Sequence, residues 1–201
     1  SEVRISTTLA LSIIIGGLFN TGMVYQQFQQ IKDRNELSLE YYNGIVIHMQ
    51  ATTPKHEHIV FTMTRELKDF FKNTKCSVHS SQVAVKLQQQ NSTFECVPDI
   101  FVECDNKFNK ATYIGTPLLI VEVLSDATAE NDTEIKKYEY AKVGVLEYLI
   151  VSQKHDYVRQ YILKDGLYSL NKTFNKNDIY NSYIFDDLSF ELKQVFDRTR
   201  G

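Results

Sequence analysis

The 201-residue chain has only three cysteines, Cys76, Cys96 and Cys104. Their number is odd and their intervals lack the short paired spacing of a zinc site, so neither a disulfide framework nor a structural zinc centre is indicated. The expectation is reduced, partly buried thiols in a cytoplasmic protein. The histidines His48, His56, His58, His79 and His155 form no zinc pattern either. His56 and His58 are two apart, which turns them to different sides of a helix. The chain contains no nucleophile elbow, no Ser-His-Asp arrangement and no phosphate-loop signature. It has no internal repeat and no low-complexity linker. Neither sign of charge dominates, and the net charge is -3, which gives no support for tight non-specific binding to nucleic acid; a grouped set of basic residues would still serve. What is present, 43% hydrophobic and 23% charged residues, suits one globular domain with a real core.

Long apolar runs are also scarce. The strongest is Thr7 to Phe19, and its uninterrupted part is shorter than the ~20 residues a membrane span needs, although Leu9 to Tyr25 carries no charge. No basic start followed by a small-residue cleavage site is evident. Met23 to Ile31 continues with helical spacing. Residues 1–37 therefore read as an apolar helical segment, packed on the domain or in a homodimer interface. A membrane anchor over residues 7–25 is the less favoured alternative.

The most telling stretch is Leu118-Leu119-Ile120-Val121-Glu122-Val123-Leu124. Side chains alternate along a strand, and here both faces are apolar, the pattern of a strand covered on both sides. Glu122 is a carboxylate planted in that strand. Burying it needs a cation, a donor or a proton, and buried charges of this kind mark sites as well as plain ion pairs. Pro98-Asp99 followed by Ile100-Phe101-Val102-Glu103-Cys104 reads as a second short strand with Asp99 at its start. The polar stretch Asp105 to Thr112 and Gly115-Thr116-Pro117 is loop chemistry, long enough to return the chain antiparallel. Neighbouring strands would then bring Asp99 near Glu122, as a hard divalent cation requires. Taken alone, Asp99 is more simply a solvated residue at a strand end.

Ser125 to Asp132 reads as a turn, and Thr133 to Ala141 as a helix that sets Lys136 within reach of the Glu122 strand, with Lys137 pointing elsewhere. The wider layout is α/β. His56 to about Asn73 reads as a helix with an apolar stripe through Ile59, Val60, Met63, Leu67, Phe70 and Phe71. Cys76 to Leu87 alternates as strands do, Leu146 to Val151 reads as a buried strand, and Tyr157 to Leu163 as another. Tyr168 to Phe196 is aromatic-rich, with turns at Asn171 to Asn177.

Pro98-Asp99, Glu122-Val123-Leu124-Ser125, Thr128, Asp132, Lys136, Tyr140, Gly144-Val145 and Glu147-Tyr148 together resemble the Uma-type family of restriction-endonuclease-like proteins, in the PD-(D/E)XK nuclease superfamily. Leu39-Glu40-Tyr41-Tyr42-Asn43-Gly44 and Thr53-Pro54-Lys55-His56 resemble its two upstream signatures. The resemblance runs from about Ser38 to about Phe196, so residues 38–201 are expected to form the nuclease-like domain. It implies a restriction-endonuclease-like core, a central mixed β-sheet flanked by helices. It makes Asp99 and Glu122 metal ligands, helped by the backbone carbonyl of Val123, and makes Lys136 the stand-in for the superfamily's catalytic lysine. The superfamily's simplest pattern puts that lysine two residues after the acid, where this chain has Leu124. Glu40 is implied as a further ligand, directly or through water, and His56 as a helix cap or a phosphate contact.

Those residue types suit phosphodiester hydrolysis. Hard oxygen donors bind Mg2+ or Mn2+ with positions left for water and phosphate, and a nearby lysine stabilises developing charge. The expected function is a metal-dependent DNA endonuclease, homodimeric and without an organic cofactor. The alternative is a nuclease-fold protein that has lost its chemistry and binds nucleic acid or a protein partner.

Overall fold

The computed structural model describes residues 18–20, 24–34, 39–48, 52–80, 83–89, 92–124 and 129–197. Most of the apolar N-terminal segment, with the dimer contact expected of it, and the turn at Ser125 to Thr128 lie outside the described residues. In chain order the elements are β1 (Leu18–Asn20), α1 (Tyr25–Arg34), β2 (Leu39–Tyr42), β3 (Ile45–His48), α2 (Pro54–Phe71), β4 (Ser77–Ser80), β5 (Ala84–Gln89), β6 (Ser92–Cys96), β7 (Ile100–Glu103), β8 (Phe108–Asn109), β9 (Thr112–Tyr113), β10 (Leu119–Leu124), α3 (Ala129–Val143), β11 (Glu147–Ser152), β12 (Tyr157–Lys164), β13 (Leu167–Asn175), β14 (Ile179–Asn181), β15 (Ser189–Glu191) and α4 (Leu192–Phe196). They divide into two compact units, residues 1–51 with 86–96, and residues 52–85 with 97–201.

The first unit is a small antiparallel sheet with α1. Phe28 and Ile31 of α1 pack with Leu39, Tyr41 and Val46. Strands β2 and β3 form a hairpin whose turn residues, Asn43 and Gly44, have φ of 44° and 97°. A two-residue Asn-Gly turn takes positive φ at both positions, and its twist matches that of the strands. Asn43 also accepts from the Thr93 N–H through Oδ1, at 3.1 Å, which ties the turn to β6.

The second unit holds a six-stranded sheet in the order β13-β12-β11-β10-β7-β4. Only β10 and β11 are parallel, and α3 makes the crossover between them. The sheet is thus mixed, as expected. On β10, Leu119, Val121 and Val123 join the core built with Ile59, Val60, Met63 and Leu67 of α2. The alternate residues face α3, whose Tyr140 meets the Tyr148 ring at 5.3 Å. Helix α2 starts where Thr53 caps it, with Pro54 at the first position, where its missing N–H does no harm. Helix α3 begins at Ala129, earlier than the Thr133 expected, and ends at Gly144 (φ 93°), where the Val145 N–H closes on the Tyr140 carbonyl at 3.0 Å.

Residues 1–37 read as helical in sequence, but Leu18–Asn20 is a strand paired with β3, because its backbone groups are taken up by a sheet edge; helix begins only at Tyr25. Two further expectations need correction. Cys76 and Cys104 are not free thiols; they form a disulfide across a sequence separation of 28, and Cys96 is the buried free cysteine. The β4–β7 register sets Ser77 opposite Glu103 and Val78 opposite Val102, so one step further Cys76 faces Cys104. Spacing in sequence carries no trace of that pairing. A loop of this length restrains the unfolded chain by about 3.6 kcal/mol. Reducing agent should therefore lower the melting temperature by roughly 7–14 °C. A Cys76→Ser/Cys104→Ser variant should melt low with or without it. An unchanged melting temperature on reduction would mean the thiols are not bonded.

The second of these concerns Asn171 to Asn177. β13 continues to Asn175 with a one-residue register shift at Asn171, and the turn is confined to Lys176, Asn177 and Asp178. β13 is an edge strand with a largely exposed surface, so it shows no apolar alternation, and Asn171 uses its amide across the ladder, donating to Gln160 Oε1 at 2.8 Å.

Candidate active site

Glu122 is 9% exposed near the end of β10. Its charge is met from α3. Lys136 Nζ lies 3.3 Å from both carboxylate oxygens, and the Tyr140 hydroxyl donates to Oε1 at 2.8 Å. Lys136 and Tyr140 are one helical turn apart, so both reach the same point on the sheet. The expected position of Lys136 is thus the observed one, and Tyr140 is a partner that sequence reasoning placed in the matching pattern without giving it a role.

Asp99 stands one step before β7. The β7–β10 register pairs Val121 with Ile100, and one step further sets Asp99 across from Glu122. Its Oδ2 accepts the Val123 N–H at 2.7 Å, so Val123 enters the site through its amide. His56 Nε2 lies 3.2 Å from Asp99 Oδ1. Burial disfavours the imidazolium of His56, but the hydrogen bond and charge of Asp99, with the charge of Glu57, more than offset it, and the pKa lies above its ordinary value. His56 Nδ1 is buried without a hydrogen-bond partner among the described residues, with Glu57 Oε1 at 3.6 Å.

His56 does not cap its helix. Thr53 does, accepting the His56 N–H at 3.1 Å. The same hydroxyl donates to Gln153 Oε1 at 2.7 Å, and Gln153 Nε2 donates to the Leu124 carbonyl at 2.8 Å. Lys55 pairs with Asp156 at 2.7 Å. The Thr-Pro-x-His signature is therefore a fixing device: it pins the start of α2 to the strand carrying Glu122 and so delivers His56 to Asp99. Gln153 carried no signal in the sequence, because its use depends on two tertiary partners. His58 points away and meets the Asp197 carbonyl at 3.1 Å.

Glu40 belongs to the first unit. It lies on β2, 1% exposed, and accepts from the Tyr42 hydroxyl at 2.8 Å. Asp99, Glu122, Lys136 and His56 are grouped within the second.

Among the described residues, no three or more His, Cys, Asp or Glu side chains gather into a group that could hold a metal. Such a group is what calcium or structural zinc asks for. Magnesium is satisfied by one or two carboxylates, with water and substrate phosphate filling the remaining positions. Asp99 and Glu122 are hard oxygen donors on neighbouring strands, and the donor set fits that smaller demand.

A third buried carboxylate is architectural. Glu147, 0% exposed at the start of β11, accepts from Gln160 Nε2, the hydroxyls of Tyr180 and Ser182, and the amides of Tyr183 and Ile184. These donors hold the segment after β14 against the sheet. Burial, and then the charge of Glu147, push the Tyr180 pKa well above its ordinary value. A raised folded-state pKa contributes stability that is complete below the unfolded-state value of about 10 and is lost as pH rises through the folded value. Denaturant titrations at rising pH should show stability falling above about pH 10, and Tyr180→Phe should flatten part of that fall while lowering stability at neutral pH. An identical slope in both proteins would clear Tyr180 of the effect.

The architecture has a solved counterpart. A structure described as a putative nuclease belonging to DUF820 from Anabaena variabilis superposes with a TM-score of 0.67 at 16% identity, covering 81% of this chain and 91% of that one. At that identity the likeness concerns the fold, which is a nuclease fold. No curated protein matches. No helix among the described residues is long and apolar enough to cross a membrane. The sequence itself matches one family profile from residue 25 to residue 193, taking in both signatures, Asp99, Glu122 and Lys136, and by that match the chain belongs to the Uma2 family, described as "Putative restriction endonuclease".

Proposed function

We propose that this protein is a metal-dependent endonuclease that hydrolyses phosphodiester bonds in DNA, using Mg2+ or Mn2+. The observation that carries the reading is the juxtaposition across β7 and β10: Asp99 opposite Glu122, with the Lys136 ammonium 3.3 Å from the latter. Asp99 and Glu122 would hold the cation. When bound, it would neutralise charge on the phosphate and lower the pKa of a water. Tyr140 orients Glu122 by donating to one oxygen, and the Val123 amide does the same for Asp99. Lys136 brings a buried positive charge to the carboxylate, where it would stabilise charge developing on the phosphate. His56 fixes the outer oxygen of Asp99.

One observation favours a second reading, a nuclease-fold protein that binds without cutting. Lys136 and Tyr140 already engage both Glu122 oxygens, so a cation has to share them. A plasmid-nicking assay with magnesium or manganese, comparing the wild type with Glu122→Gln, separates the two. Nicking by the wild type alone supports the endonuclease; no nicking with either metal removes it.

The same reading extends to assembly. A two-fold dimer would present two such sites to the two antiparallel strands of a duplex. Light scattering that returns the monomer mass would end that part of the proposal.

A further inference from the structure

The chain as a whole is acidic, yet one groove in the second unit is not. It runs along the outer face of α2 and is lined by Phe61, Thr64, Arg65, Lys68, Lys72 and Ser80, with Asp69 as its acidic member. Positions 61, 65, 68 and 72 follow helical spacing, so one face of α2, with Lys72 at its C-cap, carries an aromatic ring and three cations. Phe61 is 68% exposed. Arg65 pairs with Glu66 at 2.8 Å and Lys72 with Asp69 at 2.9 Å, whereas Lys68 makes no ion pair among the described residues. Thr64, 9% exposed, lines the groove, and its hydroxyl has no hydrogen-bond partner among the described residues.

An open aromatic ring beside a row of cations is what a single nucleic-acid strand recognises: bases stack on the ring and phosphates follow the charge. We infer that this groove binds a single-stranded segment of nucleic acid, a base stacking on Phe61 and the backbone passing Arg65, Lys68 and Lys72. Charge complementarity selects this occupant: three cations stand against Asp69 on the lining and Glu66 beside it, in a protein whose net charge is -3. The Arg65 and Lys72 pairs are exposed ones that a phosphate can replace, and Lys68 is in no pair among the described residues. Along the helix axis, Phe61 lies about 7 Å and Lys68 about 18 Å from His56, at 1.5 Å per residue. The groove would give the enzyme a surface for a single-stranded part of its substrate. To that extent the inference rests on the endonuclease reading, although binding in the groove needs no metal and no cleavage.

The test is fluorescence anisotropy with a labelled 15-nucleotide single strand of DNA and with the blunt duplex of the same sequence, in excess chelator. Phe61→Ala should weaken single-strand binding roughly fivefold to a hundredfold, the range for one missing base stack, and leave the duplex nearly unaffected. Arg65→Ala/Lys68→Ala should lower the slope of log affinity against log salt by about 0.7 for each phosphate no longer neutralised. Lys110→Ala, an exposed lysine in the β8–β9 turn, should change neither. Equal affinity of wild type and both groove variants for the single strand overturns the inference, as does an equal loss in Lys110→Ala. Full competition by poly-glutamate, at the same charge concentration and undiminished by Phe61→Ala, also overturns it in favour of an acidic protein partner. Glu122→Gln should abolish nicking and keep this binding, so failure of the groove and failure of the endonuclease reading give different results.

Discussion

Asp99→Asn and Lys136→Ala should separate cleanly in one pair of measurements. If Asp99 and Glu122 share a divalent cation, saturating magnesium stabilises the folded protein by mass action, by about 2.7 kcal/mol at a hundredfold excess over the dissociation constant. For a chain of this size that is a rise of roughly 5–10 °C in melting temperature. Asp99→Asn should remove most of that rise and all cleavage. Lys136→Ala should keep it, because the substitution takes away a cation that shares Glu122 with the metal. Cleavage should nonetheless fall by about a hundredfold or more, the scale of losing one charge-stabilising donor. The apo Lys136→Ala protein should also melt lower than wild type, since Glu122 is left buried with its Tyr140 bond and without its ammonium. Thermal melts with and without magnesium, beside a nicking assay, read all of this. Equal loss of the magnesium shift in both variants would move Lys136 into the metal site, and undiminished cleavage in Lys136→Ala would remove it from the chemistry.

Glu147 should behave in the opposite way. Five donors converge on it, from β12 and from the segment Tyr180 to Ile184. Glu147→Ala takes the acceptor from the buried Tyr180 hydroxyl and from the part-buried Ser182 and Tyr183 donors, while Gln160 Nε2 keeps the Asn181 carbonyl and the Ile184 N–H keeps Ser182 Oγ. At 1–3 kcal/mol for each orphaned group, partly relieved by water, the loss should be about 4 kcal/mol. The melting temperature should drop by roughly 10 °C. Glu147→Gln keeps the volume but turns an amide toward the Tyr183 and Ile184 N–H groups, and about half of that loss is expected. Neither variant should alter cleavage per folded molecule at a temperature where it remains folded. A specific loss of cleavage in Glu147→Gln, with stability intact, would show that the wrong buried glutamate has been given the structural role.

The contrast between those two glutamates shows what the sequence makes legible. Glu122 and Glu147 both interrupt aliphatic strands, and both strands are read correctly because apolar residues on both faces leave no other setting. The helix carrying Lys136 and the stripe of α2 are readable for the same reason: periodicity records which face is buried. The sequence does not record which donors close around a buried carboxylate. Tyr140, Gln153 and Tyr180 are ordinary residues until the fold brings them to their partners. The separation of β4 from β5 into different sheets and the meeting of Cys76 with Cys104 depend on register between distant strands, for which no local residue is responsible. β13 is misread in part because an exposed edge strand has no buried face to print a pattern.

The division of the chain into units that are discontinuous in sequence bears on how the gene can be cut. The first unit takes residues 1–51 and then, after α2 and β4, residues 86–96. β6, in that second portion, pairs with β2 through Tyr41 opposite Glu95 and Tyr42 opposite Phe94. A fragment begun at residue 52 would keep Asp99, Glu122, Lys136 and His56 and still carry the neighbouring strands β5 and β6, now with the flank of β6 bared. An uncovered strand edge invites pairing with other copies. Shortened versions made for crystallisation or display should therefore replace residues 86–96 with a brief polar loop as well as removing the amino-terminal portion, and a fragment trimmed at one end alone should be the one that precipitates.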